Sequence, residues 1–107
     1  MRKYEIAKKI EAFMKKHDLL TDTRIYFNEK CWDYNSSGNK TVLADIVGSD
    51  YFEYANDDTI SMTFEGGLYR AMNYGGSFVR EAFQDMLAQY DYYAELGNAW
   101  NLALYKI

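Results

Sequence analysis

The chain has no proline, one cysteine and one histidine among its 107 residues. Each scarcity excludes something. A lone cysteine cannot close an internal disulfide, so the fold must stand on its apolar core, and the chain reads as cytoplasmic, in a reducing compartment. One histidine and one cysteine are too few for a structural zinc site, which takes about four such ligands. No metal and no cofactor is expected. No apolar run approaches the roughly 18 residues of a membrane span, and no charged-then-apolar leader opens the sequence, so no membrane partner is expected. With no linker composition and no internal repeat, residues 1–107 read as one domain, large enough at 12.5 kDa to bury a core unaided.

Positive charge is also missing where it matters. Between Lys40 and Arg70 there is no Lys or Arg, while Asp45, Asp50, Glu53, Asp57, Asp58 and Glu65 fall inside that gap. Residues 1–40 carry nine bases against six acids, +3; residues 41–107 carry three against ten, −7, which gives the net −4. A one-sign stretch of this kind repels nucleic acid and attracts basic proteins, although most such stretches are only solvated faces. The acidic pI near 4.9 argues against direct DNA or RNA binding.

What the chain does have is aromatic rings, 18% of residues and 11 tyrosines among them. Such rings suit half-buried sheets and binding surfaces alike. The first helix is predicted over Arg2 to His17, where Ile6, Ile10, Phe13 and His17 recur at helical spacing, widened by Ala7 and Met14. Lys15, Lys16 and His17 suit the negative end of its dipole, and His17 reads as a packed dipole partner, not a base. Arg24–Phe27 and Cys31–Tyr34 read as a hairpin around Asn28-Glu29-Lys30, with a loop over Asn35–Asn39. Thr41–Val47 is open between strand and helical turn. Tyr51–Tyr54 and Ile60–Phe64 read as paired strands about the loop Ala55–Thr59, with Ile60, Met62 and Phe64 facing inward.

After Gly66-Gly67 a short helix is predicted over Leu68–Tyr74, stopped by Gly75-Gly76. Ser77 would cap a longer helix to about Tyr90, with Val79, Phe83, Met86, Leu87 and Tyr90 as its stripe. Tyr92–Leu96 and Ala99–Tyr105 read as a hairpin whose two-residue turn is Gly97-Asn98, with Trp100, Leu102 and Leu104 on the inner face. The expected fold class is α+β: helix, antiparallel sheet, a second longer helix and a C-terminal hairpin. The expected core is Ile10, Phe13, Ile60, Met62, Phe64, Phe83, Leu87, Trp100 and Leu102.

No catalytic constellation stands out. The glycine pairs lack phosphate-loop context, and Cys31 beside Trp32 reads as a buried hydrophobe. Carboxylate pairs such as Glu53 with Glu65, or a metal set from Asp45, Asp57 and Asp58, are expected by chance among 16 acids. A stacking platform of Tyr92, Tyr93, Trp100 and Tyr105 would suit a carbohydrate, but packing under the helices explains those rings better. What remains is a non-enzymatic interaction protein. Its candidate contact residues are Asp45, Asp50, Tyr51, Glu53, Tyr54, Asp57, Asp58 and Glu65, aromatic anchors ringed by charge. The natural complement is a basic groove built for nucleic acid.

The segments Tyr26–Trp32, Tyr51–Tyr54 running to Met62–Gly66, and Tyr93–Trp100 resemble pieces of small proteins carried by phages and conjugative elements of Gram-positive bacteria. In size and acidity the chain is also similar to type II anti-CRISPR proteins. That resemblance implies an inhibitor whose partner is a host nuclease, Cas9. Anti-CRISPR proteins share no signature, so it assigns no residue. The alternative is a small accessory enzyme or a domain binding a carbohydrate or small molecule at an aromatic-lined site. An inhibitor should present a convex acidic or aromatic patch without a deep pocket. An enzyme should present a cleft with convergent polar groups.

Overall fold

The computed structural model describes residues 2–74 and 78–107. The fold is α+β. Helix α1 (Lys3–Lys16) leads into the meander β1 (Thr23–Phe27), β2 (Lys30–Tyr34) and β3 (Lys40–Ala44). A long loop with one 3₁₀ turn (Gly48–Asp50) reaches β4 (Ser61–Phe64). Then follow α2 (Gly67–Asn73), α3 (Phe78–Ala88) and the hairpin β5 (Tyr92–Asn98) and β6 (Asn101–Lys106). All six strands join one antiparallel sheet in the order β3-β2-β1-β4-β6-β5. Thr41–Val47 thus resolves as strand up to Ala44 and loop beyond it. The predicted stop at Gly75-Gly76 and the Ser77 cap lie outside the described residues.

The helices cover one face of the sheet. From α1 come Ile6, Ala7, Ile10 and Met14, fully buried, with Phe13 half-buried at the margin against the Phe83 ring of α3. Alternation supplies Ile25 and Phe27, Trp32 and Tyr34, Met62 and Phe64, and Leu102 and Leu104 from beneath. Helix α1 ends as a Schellman motif: Asp18 takes the left-handed conformation (φ 55°), Leu19 N–H donates to the Met14 carbonyl, and Leu19 is buried. Its last residue is followed by His17, whose half-buried ring lies 4.5 Å from that of Phe13. A polar clamp ties α1 to the sheet edge. Tyr34 Oη and Lys40 Nζ (2.8 Å) both donate to Glu11, and the Lys40 ammonium also sits 3.5 Å over the Trp32 ring. Burial alone would raise the Glu11 carboxyl; the bonds from Lys40 and Tyr34 outweigh it and hold its pKa below the ordinary value.

The turn between β1 and β2 needs residues that tolerate positive φ. Asn28 (51°) and Glu29 (58°) make a type I′ turn between β1 and β2, so Lys30 belongs to β2 and not to the turn as predicted. The C-terminal hairpin also departs from expectation. Its turn is Ala99-Trp100, because β5 runs on through Gly97 and Asn98 to pair Asn98 with Asn101. Trp100 therefore leaves the inner face and is 40% exposed, whereas Leu102 and Leu104 are buried as expected.

Candidate functional site

Alternation sends the other set of strand residues to the face the helices do not cover. Arg24 and Tyr26 of β1, Asp33 and Cys31 of β2, Ser61 and Thr63 of β4, and Asn101 and Ala103 of β6 share it. The segment 45–60 crosses this face. It carries the predicted strand Tyr51–Tyr54, which is in fact a run of turns and a bend that follows the 3₁₀ turn Gly48–Asp50. The aromatic residues there have no partner strand and serve as a plug: Phe52 is buried with Tyr26 (rings 5.2 Å apart) and Cys31 in a second, small core, flanked by Leu43, Ile46 and Ala55. The burial that makes this core pushes the Cys31 thiol up to about 11.

Hydrogen bonds hold the loop down. Asn56 Nδ2 donates to the Leu104 carbonyl (2.9 Å), Thr59 Oγ1 donates to the same oxygen, and Ile46 N–H donates to the Glu29 carbonyl (3.1 Å). Tyr54 is the strained point. A tyrosine at φ 69° is a backbone outlier of about 1–3 kcal/mol. It is held over Gly97, where an added Cβ would lie 2.6 Å from Tyr54 Cβ and collide with Asn101 Oδ1. Gly97 is thus required for close approach by the loop, not for the turn.

The loop gathers most of the predicted contact residues. Asp45 stands at its root with φ 58°; Asp50 closes the 3₁₀ turn; Glu53, Asp57 and Asp58 are exposed along it. Asp57 accepts from Ser49 N–H (3.2 Å), which folds the loop back on itself. Tyr51 and Tyr54 are each 59% exposed. Among the described residues none of these carboxylates has an ion-pair partner; the two ion pairs are Arg24–Asp33 and Lys40–Glu11. Glu65 is not part of this group. It lies past β4, where it lines a cleft that Tyr51 also reaches.

That cleft, about 470 Å³, opens between the loop and the Asn35–Ser36 turn. Its floor is Arg24, Tyr26, Asp33 and Thr63; Phe52 and Trp100, with ring centroids 6.2 Å apart, are on the loop side; Asp22 and Glu65 stand at one end. Arg24 Nε donates to Asp33 Oδ1 (3.2 Å). The Tyr26 hydroxyl and, against partial burial, the Asp33 carboxylate raise the guanidinium pKa further, so Arg24 is a permanent cation. Next to Thr63 across the strands is Asn101, fully buried, whose Nδ2 has no partner while its Oδ1 accepts from Asn98 N–H. An unmet buried donor of this kind costs about 1–3 kcal/mol.

The sequence reading missed this cleft. The alternation Arg24, Tyr26 against Ile25, Phe27 signals which side they face, but only the strand pairing brings Asp33 and Thr63 beside them. The proposed ring platform does not exist as a unit. Tyr92 is buried toward the helices, Tyr93 and Tyr105 pair on the opposite face (5.7 Å), and Trp100 stands apart at the turn. Among the described residues no three His, Cys, Asp or Glu side chains converge as a metal would need, and no helix is long and apolar enough to cross a membrane. No protein-family model matches the chain, and comparisons with curated proteins and with solved structures each found no match.

Proposed function

We propose that the chain is a non-enzymatic binding protein that docks loop 45–58 on a basic, nucleic-acid-handling protein of its host. One observation carries this reading: five unpaired carboxylates and the exposed Tyr51 and Tyr54 sit on a single loop beside half-exposed Trp100. Long-range attraction from the carboxylates would speed encounter, and desolvation of the rings would slow release. A guide-loaded Cas9 is the partner to try first, because its channel is built for phosphates and the resemblance to anti-CRISPR proteins implies it. The cleft beside the loop favours a second reading, a small-ligand domain, since its volume falls in the range of ligand pockets and polar groups converge in it.

The test is capture from host lysate by the wild-type chain and by the Asp57→Lys, Asp58→Lys double variant, followed by association rates for each retained protein at low and high salt. The docking reading expects a basic nucleic-acid-binding protein that the double variant binds markedly more slowly at low salt, with the difference shrinking as salt screens charges beyond about 8–10 Å. Equal rates for the two chains would remove it.

A further inference from the structure

We infer that the cleft receives an arginine side chain presented by the protein partner; the inference rests on the docking reading and names what that partner must offer. The cleft carries one cation against three carboxylates, and its cation is already spent: Arg24 bonds Asp33. Asp22 and Glu65 are left. They flank the ends of β1 and β4, tied by the Glu65 N–H donating to the Asp22 carbonyl (3.0 Å), and both line the cleft. Among the described residues neither carboxylate has an ion-pair partner, so an arriving cation meets two uncompensated negative charges in one cleft.

The walls select the kind of cation. Phe64 N–H donates to the Trp100 carbonyl (2.9 Å), which ties the Trp100 turn to the end of β4, and Trp100 and Glu65 line the same cleft. Trp100 is 40% and Tyr51 59% exposed, and both border the cleft. A flat guanidinium can stack on an indole while it donates two parallel hydrogen bonds to a carboxylate; an ammonium over a ring meets a carboxylate only as a point charge, without the stack or the fork. The fold already contains the weaker version of this contact, the Lys40 ammonium over Trp32, sealed against Glu11. The cleft offers the same ingredients, the exposed Trp100 indole and the carboxylates of Asp22 and Glu65, and among the described residues no cation of the chain lines it but Arg24.

The test is a ¹⁵N NMR titration of the full chain, following the Trp100 indole N–H with buried Trp32 as internal reference. The probes are capped glycyl-arginyl-glycine and its lysine and citrulline counterparts, the last being neutral and nearly isosteric with arginine. Saturable movement of the Trp100 signal is expected with the arginine peptide, and at least about tenfold weaker binding with citrulline. Lysine should bind more weakly than arginine. Glu65→Gln and Trp100→Ala should each weaken the arginine peptide about fivefold or more, the Trp100 variant being followed at the backbone amides of Thr63 and Glu65. Both residues are exposed, and a thermal melt checks that each variant is folded.

The double reversal Asp57→Lys, Asp58→Lys lies outside the cleft lining, so at high salt, where charges beyond about 8–10 Å are screened, it should weaken the arginine peptide less than Glu65→Gln does. No movement with the arginine peptide overturns the inference. So does equal binding of citrulline or lysine, or binding indifferent to both variants. If the peptide fails while the double reversal still slows a basic partner, the cleft assignment falls and the docking reading stands. If the peptide binds as expected and the reversal changes no partner, the docking reading falls with the inference's dependence on it, and the cleft is a free guanidinium site.

Discussion

The sheet has two faces that solve opposite problems. One is covered by three helices and filled by aliphatic and aromatic side chains, with Ile6, Ile10, Met14, Ile25, Met62, Leu87 and Leu104 entirely out of water. The other is covered by a loop whose one regular piece is the 3₁₀ turn Gly48–Asp50. It holds a guanidinium, an unsatisfied amide, a tyrosine in a strained conformation and a row of unpaired carboxylates. The covered face minimises free energy; the loop-covered face carries uncompensated terms of about 1–3 kcal/mol each. Uneven stability of this kind would suit the docking role proposed for the loop, since exposed rings and unpaired carboxylates can gain from a contact that buried, satisfied side chains cannot make.

Truncation should expose the contrast most strongly. Phe83→Ala, on the helix face with 1% exposure, is expected to cost about 3–5 kcal/mol, whereas Trp100→Ala should cost under about 1 kcal/mol despite removing a larger ring. Chemical denaturation of both variants checks this; equal losses would mean that Trp100 is structural. Next in size is Gly97→Ala. The added methyl has to displace both Tyr54 and the Asn101 amide, so a loss of about 1–3 kcal/mol is expected, accompanied by amide-exchange deprotection confined to residues 45–60 and the hairpin end at 98–101. Deprotection spreading along β6 beyond Asn101 and into the helices would show that the loop is not an independent cover.

The smallest effect concerns pH. Glu11 has a folded pKa below its ordinary 4.5, so its clamp stabilises fully above that value and is lost as pH falls through the lower folded value. Tyr34 has its pKa raised, chiefly by burial and then by Glu11, so its contribution is complete below the ordinary 10 and declines as pH rises beyond it. Denaturation midpoints of wild type and Glu11→Gln should therefore converge on acidification and differ most at neutral pH. A constant difference at every pH would deny the clamp its charge.

How legible each face was follows from the same contrast. Burial against helices imposes a period, and the stripe of α1 and the alternation of Ile60, Met62 and Phe64 read directly. The loop-covered face imposes none. Tyr51–Tyr54 looked like a strand because aromatic residues fit pleated surfaces, yet that preference measures the environment and not the backbone. Here Phe52 finds its half-buried setting as a plug over Tyr26 without any strand partner. Gly97-Asn98 looked like a turn because glycine marks turns most often. The glycine answers instead to the Tyr54 backbone above it, a constraint set by a residue 43 positions earlier in the numbering. Asp50, Glu53, Asp57 and Asp58 could be named in advance, since a gap in positive charge is visible without any fold; Arg24 and Asp33 could not, since only pairing joins them.

The strand order has a kinetic corollary. Strands β1, β2 and β3 form one local meander and β5 with β6 another, each closable within a short stretch of chain. Four-residue β4 is the seam: Thr23 meets Phe64 and Ser61 meets Ala103, contacts about forty residues apart, whose loop entropy must be met before they repay it. With no X–Pro bond anywhere, no isomerisation in the unfolded chain can hold molecules back over tens of seconds. Refolding should accordingly run as one phase, its rate governed by the docking of β4 between two preformed halves, and substitutions in β4 should slow folding more than they hasten unfolding.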